Sequence, residues 1–219
     1  MTDRAPGLDF TRFEVATFDC YGTLIDWEAG ILAALRPILA AHGIDAGDDA
    51  LLEAFAYEEA QAQHATWIPY ASVLRRVVEG IGDRFGFRPS AAEREALAAS
   101  VTEWPAFPDT AAALAALQRR YRLIVLSNID DDLFAGTARS LRVALDDVVT
   151  AQQVRSYKPA RGHFDEVCAR IGLHPSRILH VAQSLYHDIA PAQALGFATV
   201  WVNRREGRKG RDAGIGRRA

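Results

Sequence analysis

The feature that most constrains this chain is a repeated alternation of short apolar runs with segments of helical period. Residues 13–19, FEVATFD, are apolar, rich in β-branched and aromatic residues, and end in a polar, Gly-containing turn, CYGT. That pattern reads as a buried parallel strand followed by a loop. The alternation resumes near residue 110. A helix is expected from Thr110 to Arg120 with Asp109 as N-cap, then a strand from Arg122 to Leu126. A helix from Asp131 to Leu141, a short strand from Val148 to Thr150 and a helix from Arg161 to Ile171 follow. The series closes with a strand from Ile178 to Val181, a helix from Ile189 to Leu195 and a strand from Ala198 to Val202. Repeated βα units imply an α/β fold, a parallel sheet covered by helices on both faces.

Between the first strand and the rest, apolar residues recur at helical spacing. Leu32, Leu35 and Leu39 mark one helix, and Leu51, Leu52 and Phe55 a second. Val73, Leu74, Val77 and Val78 mark a third, and Ala92 to Val101 a fourth. Gly43, Gly80, Gly86 and Pro89 punctuate them. The expected organisation is a discontinuous core, residues 1–30 and 105–207, with a helical cap, 31–104, inserted into it. From Arg204 onward the chain is basic, Gly-rich and aperiodic, and residues 208–219 are expected to form a flexible tail.

Composition excludes several classes of function. A net charge of −3 over 219 residues favours neither nucleic acid nor a membrane surface as partner. No apolar run approaches the ~18 residues of a membrane span. The N-terminal segment MTDRAPGLDF lacks the apolar stretch of a signal peptide. Cys20 and Cys168 lie far apart and read as structural thiols in a reducing compartment. A cytoplasmic enzyme acting on a small molecule is the expectation.

In open parallel sheets, ligands bind beyond the carboxyl ends of the strands. The residues there are Asp19, Ser127, Lys158 and the stretch from Gln183 to Asp188. Alone, Asp19 reads either as a nucleophile or as a helix N-cap, and Lys158 reads equally as a solvated surface lysine. Their neighbours sharpen the reading. Gly22 permits a tight turn, and Thr23 can donate a hydrogen bond to a carboxylate. Ser127 and Asn128 are small polar donors. Ser184 and Asp188 follow another apolar strand. The acidic run Asp130, Asp131, Asp132 reads as the favoured charge at a helix N-terminus. His187 reads as a structural histidine or a base.

In the order FDCYGTL, LSN, YKP and AQSLYHD, across residues 12–205, these pieces resemble the haloacid dehalogenase superfamily. The resemblance implies a Rossmann-like three-layer core with a helical cap, and an aspartate nucleophile at Asp19. Phosphatase members carry a second Asp two residues after the nucleophile. Here that residue is Tyr21, whose ordinary pKa near 10 suits it poorly to acid–base work at neutral pH. Gln183 stands where many phosphatases place a Mg²⁺-binding carboxylate, although Asp188 remains.

DxYGTL is similar to the L-2-haloacid dehalogenase branch. That resemblance implies cofactor-free displacement of halide from a short 2-haloalkanoic acid by Asp19, followed by hydrolysis of the ester. It implies that Lys158 stabilises the carboxylate and Thr23 holds its second oxygen. Ser127 would bind the substrate carboxylate, Asn128 would contact the halide, and Asp188 would position or deprotonate water. Tyr21 would form a wall. Gln183 and Ser184 would line the substrate site. A homodimer is an expectation by analogy. The alternatives are a Mg²⁺-dependent phosphatase and a catalytically weak binding protein.

The chain departs from that branch in three places. The cap segment 54–67 lacks the halide-binding arginine. Tyr57, Gln61, His64 and Trp67 are the replacements at hand, with Arg75 and Arg76 on the next helix. Phe164 stands where the branch has a tyrosine six residues after the lysine. AQSLYHD replaces SSNAWD.

Overall fold

In the computed structural model, which describes residues 8–63 and 67–205, five strands form one parallel sheet. They are β1 (Val15–Phe18), β2 (Arg122–Ser127), β3 (Asp147–Thr150), β4 (Ile178–Ala182) and β5 (Ala198–Trp201), in the order β3-β2-β1-β4-β5. The chain runs outward from β1 through β2 to β3, then returns to the other side of β1 for β4 and β5. The central strand is therefore the point where the winding reverses, and a crevice opens at its carboxyl end.

Alternation along the strands decides what each face buries. Val15, Ile124, Leu126 and Ile178 pack on one face with Phe164, Val167 and Ala192. These last come from α8 (Gly162–Ile171) and α9 (Ala190–Ala194). Ala16, Phe18, Leu123, Val125 and Leu179 point the other way. They meet Leu114 of α5 (Thr110–Leu117) and Phe134 of α6 (Asp131–Leu141). Helices on both faces make the three layers that the sequence pattern implies. A single turn, α7 (Ala151–Val154), follows β3.

Four helices fill the long interruption: α1 (Trp27–Ala41), α2 (Asp48–Gln63), α3 (Tyr70–Phe85) and α4 (Ala91–Ser100). The 30/31 boundary read from the sequence falls inside the first turn of α1, which Asp26 caps through the Ala29 N–H. The chain enters and leaves this unit through adjacent segments. Ile25 bridges Ala106 antiparallel, the Asp26 N–H donates to the Pro105 carbonyl at 2.8 Å, and the Phe107 N–H donates to the Leu24 carbonyl at 3.0 Å. Among the described residues, no helix is long and apolar enough to cross a membrane.

One capping expectation needs correction. Asp109 makes no side-chain bond to the start of α5; its carboxylate instead receives the Arg204 guanidinium at 2.8 and 2.9 Å. The acidic run Asp130, Asp131, Asp132 does stand at the start of α6, the last two in its first turn, but the Asp130 carboxylate makes no bond to that helix. Its two oxygens accept the backbone N–H groups of Tyr70 and Ala71, each at 2.8 Å, and so cap α3 from across the molecule. Helix N-termini expose unpaired N–H groups, and a carboxylate from any element that reaches them serves. The segment before α9 also winds differently from the sequence reading, as a π-turn over Leu185–Ile189.

Gly30, buried in α1, lies flat against the Trp104 indole, and a Cβ there would overlap the ring. Alanine normally favours a helix over glycine by about 1 kcal/mol. At this position the clash should outweigh that gain, and Gly30→Ala should lower stability by about 1–3 kcal/mol. Denaturant unfolding of the two proteins checks the sign; a stabilised variant would mean that Trp104 is free to move.

Candidate active site

Asp19 leaves the end of β1 with its N–H on the Val181 carbonyl, 3.1 Å away. The chain then folds back on itself. The Cys20 carbonyl accepts from the N–H groups of Thr23, Leu24 and Ile25 at 3.2, 2.7 and 3.0 Å. Gly22 turns this loop at φ 92°, where a Cβ would stand 3.0 Å from the Trp27 indole nitrogen. The loop places the Thr23 hydroxyl to donate to Asp19 Oδ2 at 2.7 Å while it accepts the Gln183 N–H at 3.0 Å. Arg204 holds the outside of the turn, donating to the Thr23 carbonyl at 3.0 and 2.8 Å. The sequence reading assigned Arg204 and Arg205 to an aperiodic basic stretch. Instead, Arg204 buttresses the nucleophile loop, and Arg205 pairs with Glu28. Residues 208–219 lie outside the described residues.

Lys158 is buried, not a surface lysine. Its Nζ donates to Asp19 Oδ1 at 2.9 Å, to Asp188 Oδ1 at 2.6 Å and to the Leu126 carbonyl at 2.8 Å, so all three ammonium hydrogens are used. Asn128 fixes the backbone that carries it. The amide oxygen accepts the Lys158 N–H at 2.7 Å, and the amide nitrogen donates to the Lys158 carbonyl at 3.1 Å. Both ends of Asn128 thus act on Lys158.

A buried relay supports Asp188 from behind. Thr17 and His180 are register partners on β1 and β4. The Thr17 hydroxyl lies 2.9 Å from His180 Nδ1, and His180 Nε2 lies 3.1 Å from Asp188 Oδ1. Burial works against the Asp188 charge, but Lys158 and His180 outweigh it and hold the carboxyl at about 2. Burial also works against the Lys158 ammonium, and the two carboxylates raise its pKa nevertheless. Asp19 also has two partners, Lys158 and Thr23. Burial raises its pKa, with Lys158 and Thr23 opposing the rise. Of the two carboxylates, Asp19 is therefore the more basic, as a nucleophile should be.

These groups open into a cavity of about 480 Å³. Tyr21, Ser127, Asn128, Gln183, Ser184 and Asp188 all line it with Asp19 and Lys158. Among the described residues the buried Ser127 hydroxyl has no hydrogen-bond partner, a cost that a bound ligand would remove. Tyr21 spends its hydroxyl on Thr137 at 2.8 Å, and burial raises its pKa well above 10. Ser184 accepts the His187 N–H at 3.0 Å and caps the π-turn. His187 lines the cavity, and burial depresses its pKa.

The cap wall differs from the sequence reading. Tyr57 and Gln61 face solvent. Trp67 packs beneath the Arg155 guanidinium, 5.3 Å from ring centroid to cation. Arg75 pairs with Glu95, Arg76 is exposed, and His64 lies outside the described residues. The wall is formed by Phe55, Glu59, Gln63, Tyr70 and Trp104. Glu59 accepts the Tyr70 hydroxyl at 2.6 Å, and burial pushes its carboxyl up to about 7. Sequence reasoning missed it, although it falls one helical turn after Phe55 on the buried stripe. Phe164 is buried and meets His180 edge-on at 5.4 Å.

A parallel three-layer sheet with a buried aspartate at its winding reversal, held against a lysine, places the protein among open-sheet α/β proteins with a charged site at the strand ends. A family model described as haloacid dehalogenase-like hydrolase matches residues 13–196, and the chain belongs to that family. It is 27% identical over 198 residues to (S)-2-haloacid dehalogenase 1 of Pseudomonas sp. (strain CBS-3), with 85% of this chain and 83% of that protein covered. It is 26% identical over 200 residues to (S)-2-haloacid dehalogenase 4A of Burkholderia cepacia, with 85% and 81% covered. Among solved structures, the L-2-haloacid dehalogenase of Xanthobacter autotrophicus with chloropropionic acid covalently bound superposes with a TM-score of 0.75. The two are 20% identical, with 88% of this chain and 78% of that one covered.

Lys158→Ala should leave two buried carboxylates without their cation. Loss of about 3 kcal/mol of stability and at least ~100-fold in kcat/KM is expected. Unchanged kinetics would remove Lys158 from the site. Glu59 gives a pH test. In the unfolded chain it ionises at its ordinary value of 4.5, and in the folded protein at about 7. Stability therefore falls as pH rises between those values and is flat above them. Glu59→Gln, which keeps an acceptor for Tyr70, should gain up to about 3 kcal/mol relative to wild type between pH 5 and pH 8. A stability difference that does not move with pH would contradict the burial of this carboxyl.

Proposed function

We propose that the protein is a hydrolytic dehalogenase of 2-halocarboxylic acids that works through an ester on Asp19 without a metal cofactor. The observation that carries this reading is the division of labour between the two carboxylates. Each has two side-chain partners, Asp188 with Lys158 and His180 and Asp19 with Lys158 and Thr23, but the Asp188 side chain is 1% exposed and that of Asp19 11%, so Asp19 is the one open to the cavity.

In the first step an Asp19 oxygen attacks the carbon bearing the halogen. The carbon–halogen bond breaks and its electron pair leaves as halide. The Ser127 hydroxyl, which lacks a partner among the described residues, receives the substrate carboxylate. In the second step water adds to the acyl carbon of the Asp19 ester. The 2-hydroxy acid leaves with Asp19 restored, and one proton passes to solvent. Lys158 stabilises the charge on the ester oxygen in this step. With its carboxyl held at about 2, Asp188 is a weak base, suited to orienting Lys158 and the water rather than to taking a proton. Asn128 acts through Lys158 in this reading, which its two bonds to the Lys158 backbone support.

Phosphate-ester hydrolysis would need an acid for the leaving alcohol at position 21. Tyr21, bound to Thr137 and with its hydroxyl pKa raised, does not supply one. The expected result is halide release from L-2-chloropropionate in EDTA by the wild type and none by Asp19→Asn, with mass spectrometry confirming that the asparagine is intact. Steady turnover by intact Asp19→Asn would refute the nucleophile. Strict dependence on Mg²⁺ with a phosphate ester would replace this reading with the phosphatase one.

A further inference from the structure

The cap half of the cavity carries a carboxyl where the proposed chemistry asks for none. Phe55, Glu59, Gln63, Tyr70 and Trp104 form it, and none of these brings a positive charge. Elsewhere on the lining the Lys158 ammonium is committed to Asp19, Asp188 and a carbonyl, and Arg205 pairs with Glu28. The pair Asp19 and Asp188 with Lys158 already sums to one negative charge. A plain haloalkanoate adds its own carboxylate and releases a halide, and neither has any use for Glu59.

The surroundings of Glu59 are aromatic. Trp27 and Phe55 lie 5.7 Å apart at a tilt, and Tyr21 meets Trp104 edge-on at the same separation. All four rings line the cavity. The Tyr70 hydroxyl fixes the carboxyl of Glu59 at 2.6 Å, and Asp130 in turn fixes the backbone of Tyr70. A cavity whose lining combines several aromatic rings with a held carboxyl suits an organic cation, which can gain from both the ring quadrupoles and the opposite charge. At about 480 Å³ the cavity also has room well beyond a three-carbon haloacid.

We propose that the cavity takes 2-halo acids bearing an alkylammonium group remote from the reacting carbon, with Glu59 as its counter-ion and the surrounding rings as its walls. This rests on the dehalogenase reading only for the reacting end of the substrate. The ammonium subsite stands on the cap residues alone.

The test compares a 2-chloro acid ending in a trimethylammonium group with its tert-butyl isostere, which has the same shape without the charge. Wild type should favour the cation by roughly tenfold in kcat/KM, and Glu59→Gln should bring the ratio close to one. The halogen-free versions of the same two acids, titrated by calorimetry, should show the same Glu59-dependent preference in Kd. Equal treatment of the two chloro acids by wild type would overturn the inference and leave the dehalogenase reading intact. So would a fall in both rates by the same factor in Glu59→Gln. If neither chloro acid releases chloride but the halogen-free cation binds in a Glu59-dependent way, the inference stands and the dehalogenase reading fails.

Discussion

A buried ammonium shared by two buried carboxylates governs this molecule. Each of the three charges would be costly to bury alone, and any two would leave the third exposed to a low-dielectric interior. Satisfying all of them requires the ends of β1 and β4 and the loop after β3 to converge within hydrogen-bonding distance. The parallel sheet supplies that convergence because β1 is central and the winding reverses there. The surrounding contacts hold it. Asn128 clamps the Lys158 backbone, Thr23 ties Asp19 to Gln183, and Arg204 holds the outer carbonyl of the nucleophile loop.

The loop after β2 also links the chemistry to the cap. Asn128 holds Lys158, and two residues later Asp130 caps α3, the helix that begins with Tyr70. The Tyr157 hydroxyl, next to Lys158, donates to the Ile68 carbonyl at 2.7 Å, just before the same helix. A helix N-terminus left without these partners would expose unpaired N–H groups at the cavity edge. The same few residues thus set both the position of the catalytic ammonium and the orientation of the wall that faces it.

Much of this was legible in the sequence. The short, nearly continuous apolar runs mark the strands to within a residue or two, and their order marks the layers, because a parallel strand buried on both faces can be little other than apolar. Asp19, Thr23, Ser127, Lys158 and Asp188 were legible as a set, since strand ends and their adjoining loops are where a parallel sheet concentrates chemistry. Other residues were misread, for a common reason. Asp109 and Arg204 are polar residues at element ends, where local rules assign them to the nearest helix or to a tail. Each instead bonds to the other, distant in sequence, and Arg204 also to the Thr23 carbonyl.

What the sequence determined by itself was the class of fold and the set of residues that converge at the strand ends, because both follow from periodicity and from short local motifs. What only the tertiary structure decided was how those groups are charged and what faces them. Burial and the neighbouring Asp188 charge raise the Asp19 pKa against Lys158 and Thr23, whereas Lys158 and His180 hold Asp188 low in spite of its burial. The cap wall depends on which face of α2 turns inward, and so Glu59 rather than Tyr57 or Gln61 meets the cavity. Electrostatic energy varies with distance and burial, and neither is a property of sequence spacing.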